Sequence, residues 1–361
     1  MPAIGAYSPG SDPTHGSIHT MTNHIGLIRK GPKPLPDSEE AALVCEHPAE
    51  KFRPTFSTHD YITGDPFAVG YCNACRLYVT TPVPPEREAG TYYPKGYYGS
   101  GRRFNPIVEW LLDNLYNYRA SQIEQHQKPG KVLDIGCGRG LLLHKLRQRG
   151  WTPMGTELSE EAASYARDRL GLPVTTQMVE DVKFPDEEFD LVILWHVLEH
   201  VQSPRAMLKE VSRILKPGGT LLVAVPNFGS LEAQWSKAGW FHLDVPRHLT
   251  HFTRATLAHA LNVAGLTVSS TNFFSTEYDF FSFVQSVQNK MGLRHNLLYN
   301  LLRTRSAKVV DAEGNTIGSA RLQSLAALVT AVPLTLISLV YAPVAAALGK
   351  GATLAVYARK R

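Results

Sequence analysis

Cysteine is scarce in this chain of 361 residues: there are four, Cys45, Cys72, Cys75 and Cys137. So few, three of them clustered, argue for a reducing compartment and against a disulfide scaffold. Charge is also thin, at 19% of residues, and nearly balanced, with net charge +5 and pI ≈ 8.9. No long basic stripe with interleaved aromatics is present, which excludes a nucleic-acid-binding composition. The stretch Met1 to Asp12 lacks the basic start and apolar run of a secretory signal, so a cytoplasmic location is expected. Hydrophobic residues make up 43%, enough for one full α/β domain with additions. From Leu322 to Gly349 charge is missing altogether.

The most informative stretch runs from Lys131 to Gly140, Lys-Val-Leu-Asp-Ile-Gly-Cys-Gly-Arg-Gly. It predicts an apolar strand ending in Asp134, a turn built on Gly136, Gly138 and Gly140, and then an amphipathic helix from Leu141 to Arg149. Strand, glycine turn and helix in that order make a nucleotide-binding crossover. The glycines remove Cβ atoms where a ligand must lie against backbone, and the helix start offers unpaired N–H groups. The third glycine comes one residue earlier than in a dinucleotide G-x-G-x-x-G, with Leu141 in the expected place. A second strand, Thr152 to Thr156, ends in Glu157, whose carboxylate can accept two hydrogen bonds from a ribose diol. That acid suits NAD and S-adenosylmethionine alike.

Downstream, Phe189 to Leu194 is a buried strand that runs into Trp195-His196-Val197-Leu198-Glu199-His200-Val201. Arg213-Ile-Leu-Lys-Pro-Gly-Gly219-Thr220 and the strand Leu221 to Val225 follow. The series D-x-G-x-G-x-G, F-D-x-V, L-E-H-V and R-x-L-K-P-G-G resembles the class I S-adenosylmethionine-dependent methyltransferases, over roughly residues 90–273. The resemblance implies a Rossmann-like, doubly wound α/β fold with a mostly parallel sheet and helices on both faces. It implies that Asp134 orders the glycine loop, that Glu157 holds the cofactor ribose, and that Met178 and Val179 line the adenine. Trp195 and His196 would sit beside the sulfonium, with Glu199 and His200 fixing the turn. Many relatives carry an Asp near Met178; this chain does not. His196 to His200 also matches the zinc-protease pattern H-x-x-E-H, but a zincin needs it inside a helix and here it follows a buried strand.

The segment Trp240 to Thr253 holds His242, Asp244, His248 and His251. Its pattern D-x-P-x-H-x-x-x-F-T resembles the segment that closes over the acceptor in that family. An imidazole near neutrality can take a proton from a hydroxyl as the methyl group leaves sulfur. His248 and His251 are the candidate bases and Asp244 the group that orients them; a structural gate made by His248 is the alternative.

Residues 1–40, rich in Gly, Pro, Ser, Thr and His, read as a disordered tail. Residues 41–90 read as a zinc-ribbon-like unit: Cys45, then Cys72-Asn-Ala-Cys75 turning into a strand. Pro48 stands where a second cysteine of the first knuckle belongs, so His47 or His59 is the candidate fourth ligand of a structural zinc. A degenerate ribbon held by apolar packing is the alternative. Residues 91–273 form the core domain and 274–350 an apolar helical insertion. Residues 351–361 supply a final strand, Ala352 to Ala358, and a basic tail. If that strand joins the sheet, both ends of the insertion share one side of any membrane. Pro333 and Pro343 then predict a re-entrant or interfacial hairpin on anionic, cytoplasmic lipid. A soluble lid or a dimer contact is the alternative.

The sequence therefore points to S-adenosylmethionine-dependent methylation, favouring oxygen, of a small-molecule or lipid- or glycan-linked acceptor. A nicotinamide-dependent oxidoreductase and a non-catalytic scaffold on the same fold compete with it. Nucleic-acid acceptors are not expected.

Overall fold

The computed structural model describes residues 51–73, 77–85, 88, 90–93, 106–304 and 320–361. The first three strands are β1 (Phe52–His59), β2 (Pro66–Cys72) and β3 (Tyr78–Thr81). They form an antiparallel meander, and its apolar residues Phe67, Val69 and Val79 are buried. Of the proposed zinc ligands, Cys72 is fully buried at the end of β2, while Cys45, His47 and Cys75 lie outside the described residues. The tail 1–40 also lies outside them.

Helix α1 (Pro106–Glu124) leads into the larger sheet. Its crossovers run β4 (Lys131–Ile135), α2 (Leu141–Gln148), β5 (Thr152–Thr156), α3 (Glu160–Leu170), β6 (Val174–Thr175) and α4 (Val179–Val182). Then come β7 (Phe189–Trp195), α5 (Pro204–Ile214), β8 (Leu215–Pro226), α6 (Leu231–Ser236), β9 (Thr250–His251), α7 (Arg254–Val263) and β10 (Leu266–Asn272). The last elements are α8 (Asp279–Lys290), α9 (Leu297–Thr304), α10 (Ala320–Ala347) and β11 (Thr353–Lys360).

Among the described residues, seven strands pair in the order β10-β11-β8-β7-β4-β5-β6. The neighbours from β8 to β6 are parallel, and β11 enters antiparallel between β8 and β10. Val132, Leu133, Leu191, Val192, Ile193 and Leu194 are buried without exposure, as both faces of a parallel sheet require. Local signals start the helices. Ser203 accepts from Ala206 N and Pro204 occupies the first turn of α5, whose Met207, Leu208, Val211 and Ile214 then pack on the sheet at helical spacing. Strand order reverses between β4 and β7, and ligands of open α/β sheets bind in the crevice at such a point.

Two arrangements differ from what the sequence predicts. First, the N-terminal meander is not a separate ribbon. Strand β9, from the histidine-rich segment, pairs with β3, Tyr78 opposite His251 and Val79 opposite Thr250. A two-residue strand carries too little periodicity to be read from sequence. Second, Pro333 and Pro343 do not break the insertion into a hairpin; both lie inside the 28-residue helix α10. Each proline costs one backbone hydrogen bond. Around them, hydroxyls back-bond to the helix: Thr330 Oγ1 donates to Ala326 O at 2.7 Å and Thr335 Oγ1 to Ala331 O at 2.8 Å. Helix α8 braces one side through Gln288 Nε2 to Ala327 O, 2.7 Å, and Phe283 against Tyr341, 4.4 Å between centroids.

Candidate cofactor and acceptor site

The glycine turn leaves β4 at the strand-order reversal. Gly136 has φ +72°, and a Cβ there would stand 2.5 Å from Val197 Cγ2. The turn is thus pressed against the segment that follows β7. Gly138, at φ +54°, is the opposite case: a Cβ would meet nothing within 4 Å. Its N–H donates to Glu157 Oε2 at 2.9 Å, and the N–H of Ser159 donates to Oε1 at 2.8 Å. The acid at the end of β5 is therefore fixed at the rim of an open backbone cradle, with lone pairs left on each oxygen. This space and donor set fit a nucleoside with a ribose diol and a charged tail. Asp134 lies under the turn, and burial pushes its carboxyl up to about 7. Cys137 is partly buried against the core, and burial pushes its thiol up, which marks it as inert packing.

The expected adenine wall divides. Strand β6 ends at Thr175, before Met178. Met178 is the exposed residue preceding α4, and Val179, its first residue, is buried. Leu158 is also exposed, at 62%, directly after Glu157. Sequence reading missed this exposed apolar side chain beside the Glu157 carboxylate because no spacing rule marks it.

Beyond β7 the chain turns sharply. His196 takes φ +55°, a left-handed conformation that non-glycine residues adopt at tight or functional turns. Its ring lies 4.5 Å from that of Tyr278, and Nδ1 is 2.9 Å from Glu199 Oε1. Burial alone would raise the Glu199 carboxyl. The hydrogen bond from His196, together with the neighbouring histidine rings, outweighs it and holds Glu199 at about 2. Trp195 carries the Arg119 guanidinium 3.5 Å from its ring centroid, and Arg119 is paired with Glu277. Arg119, Glu277 and Tyr278 come from outside any motif, so sequence reading had no signal for them.

The histidine-rich segment closes this edge. His248 is buried, with Nδ1 2.8 Å from His242 O, and its ring lies 4.6 Å from that of His200. His251 is buried too, but its Nε2 lies 3.1 Å from Thr80 Oγ1 on the paired strand β3, and its ring packs on Phe228. The two candidate bases therefore face different surroundings. Neither titrates near neutrality: burial pushes His248 down to about 4 and His251 to about 3. The carboxylate of Asp244 accepts from Arg247 Nε at 2.8 Å, which places it on a guanidinium where the sequence suggested an imidazole. Arg247 in turn reaches Asp60 Oδ1 at 2.7 Å, with both side chains fully buried. It also donates to Tyr92 O at 2.9 Å. The acceptor-side segment is thereby bolted to the N-terminal meander.

A family described as a methyltransferase domain matches residues 109–271. Among curated proteins, an uncharacterised protein of Methanocaldococcus jannaschii is 31% identical over 119 residues, 32% of this chain and 56% of that one. A ubiquinone biosynthesis O-methyltransferase of Maricaulis maris is 31% identical over 135 residues, 35% of this chain and 52% of that one. Its namesake from Coxiella burnetii is 33% identical over 132 residues, 34% and 56% respectively. The chain spans about half the length of the curated relatives it matches. Among solved structures, it is similar to an S-adenosylmethionine-dependent methyltransferase of Thermotoga maritima, described as a possible histamine N-methyltransferase. That pair shares 25% identity over 47% of this chain and 83% of the other, with TM-score 0.38. An S-adenosylmethionine-dependent methyltransferase of Archaeoglobus fulgidus is 20% identical over 69% and 94%, with TM-score 0.42.

Proposed function

We propose that this protein, whose residues 109–271 match a methyltransferase domain, transfers the methyl group of S-adenosylmethionine to a hydroxyl of a small, apolar or lipid-linked acceptor. The observation that carries this reading is the open cradle at Gly138 with Glu157 fixed at its rim, facing a turn and a histidine-rich segment that enclose the same sheet edge. When bound, the cofactor supplies a methyl group already activated on sulfur, so the protein's task is alignment and exclusion of water. Glu157 and the Gly138 backbone hold the nucleoside end. Trp195 and Tyr278, both partly buried, screen the reacting edge from solvent. The acceptor hydroxyl would give its proton to solvent as its oxygen takes the methyl group, whose departing C–S electron pair would remain with the cofactor. Relatives named ubiquinone biosynthesis O-methyltransferases support oxygen as the target atom and an apolar acceptor.

Helix α10 extends this reading to a membrane surface. It is long and apolar enough to span a bilayer by composition, yet only 17% of its most apolar window is buried. Its ends are tied to the same domain through α8 and β11, so a peripheral position on the cytoplasmic face of an anionic membrane is the arrangement we propose. Calorimetry with S-adenosylhomocysteine and with NADH tests the core of the proposal. Binding of the first alone is expected; binding of NADH in its place would retire the methyltransferase reading.

A further inference from the structure

The turn after β7 and the histidine-rich segment bring together a cluster that takes no part in the cradle at Gly138 and Glu157. A carboxylate oxygen of Glu199, a ring nitrogen of His200 and a ring nitrogen of His248 all lie within 4.8 Å of one another. Small side-chain rotations would bring such a set onto one ion. The protons on these groups are largely fixed by their other partners. His200 Nδ1 lies 3.0 Å from Arg247 O and His248 Nδ1 lies 2.8 Å from His242 O. A carbonyl only accepts, so Nδ1 carries the proton in each ring and Nε2 is left with the lone pair. Glu199 Oε1 is engaged by His196, while Oε2 is buried without a hydrogen-bond partner. Glu199 is only 1% exposed, so this oxygen is cut off from bulk water.

An unpartnered buried carboxylate oxygen is costly, and a cation shared with the two neighbouring imidazoles removes that penalty. The surroundings also match what metal ligands need: each imidazole donates its far N–H to a backbone carbonyl, which fixes tautomer and ring plane. We propose that Glu199, His200 and His248 form a binding site for a first-row divalent cation. Two imidazoles and one carboxylate leave coordination positions open, as in sites where a substrate oxygen completes the shell. His196 is not a ligand in this arrangement; it braces Glu199 from the other oxygen. The H-x-x-E-H pattern therefore acts through its last two residues, with the third ligand supplied from 48 residues further along the chain.

The site lies on the turn that presses against Gly136, at the sheet edge where the acceptor must enter. That part of the inference rests on the methyltransferase reading; the ligand set does not. A bound cation would acidify a coordinated acceptor hydroxyl and release its proton to solvent.

The test is a Co2+ titration of the full chain after chelator treatment. One equivalent is expected to bind, giving visible d–d bands without the near-ultraviolet charge-transfer bands of thiolate ligation. His200→Gln and His248→Gln should each weaken binding by roughly 10–100-fold. S-adenosylhomocysteine affinity should persist in both, which shows that they fold. A Cys72→Ser, Cys75→Ser double variant should keep the signal. No Co2+, Mn2+ or Zn2+ uptake by the wild-type chain would overturn the proposal. So would uptake that survives both histidine variants and vanishes with the cysteines. An intact Co2+ site in a chain that neither binds S-adenosylhomocysteine nor turns over would support the metal site while retiring the methyltransferase reading.

Discussion

At the scale of single residues, a few atoms decide whether the cradle works. Gly136→Ala places a Cβ 2.5 Å from Val197 Cγ2 on backbone at φ +72°. The variant should lose about 1–3 kcal/mol in urea unfolding and bind S-adenosylhomocysteine more weakly. Glu157→Ala removes the acceptor of the Gly138 and Ser159 N–H groups and of the proposed ribose contact. Calorimetry should show S-adenosylhomocysteine binding weakened by roughly 10–100-fold, about 1.4–2.8 kcal/mol, with little change in melting temperature. Glu232 supplies a pH signal away from the site. Burial raises its carboxyl from 4.5 to about 8, against the hydrogen bonds from Ser282 and Ser286 and with help from Asp279. A group raised in the folded state stabilises fully below its unfolded value and loses that contribution as pH climbs through the folded one. Glu232 should therefore cost the fold on the order of 3–5 kcal/mol between about pH 4.5 and 8. Melting curves across that range should fall more steeply for the wild type than for Glu232→Gln.

At the scale of elements, the two long departures from expectation are β9 and α10. The glycine loop, Glu157 and the strands around them were legible because each combines a run of buried apolar residues with a punctuating glycine or acid. The proline rule pointed to a broken insertion because it counts the lost bond and the ring clash without the neighbours. Here α8 supports one flank, with Gln288 bonded to the Ala327 carbonyl and Phe283 packed on Tyr341. The opposite flank presents Val332, Leu336, Ile337 and Val340, each more than half exposed. Asn substitutions at Leu336, Ile337 and Val340 should abolish flotation with vesicles containing anionic phospholipid. The melting temperature of the core should stay within a few degrees, because these side chains contribute little to it. Flotation unaffected by the substitutions would remove the membrane from the proposal.

At the scale of the whole molecule, the N-terminal meander and the acceptor-side segment behave as one piece. Strand β9 completes the small sheet, and Arg247 joins Asp244, Asp60 and the Tyr92 carbonyl. Asp60→Ala removes a fully buried charge-assisted hydrogen bond but leaves Arg247 paired with Asp244, so it should lose about 1.5–3 kcal/mol by urea unfolding. It should also loosen the segment that carries His248, raising the acceptor KM more than the cofactor's. Equal changes in both would mean that the meander only adds stability.

The sequence alone determined the doubly wound sheet, the cofactor turn and the acid at its rim. These are local patterns: apolar runs, glycines where backbone must approach a ligand, and a carboxylate at a strand end. Only the tertiary structure decided what the histidines are. His248 and His251 sit three residues apart in the chain, yet one faces Glu199 and His200 while the other faces Thr80. Burial, strand pairing and the partner of each ring nitrogen separate them. Those quantities depend on residues distant in sequence, some more than a hundred positions away, so no local pattern could carry them.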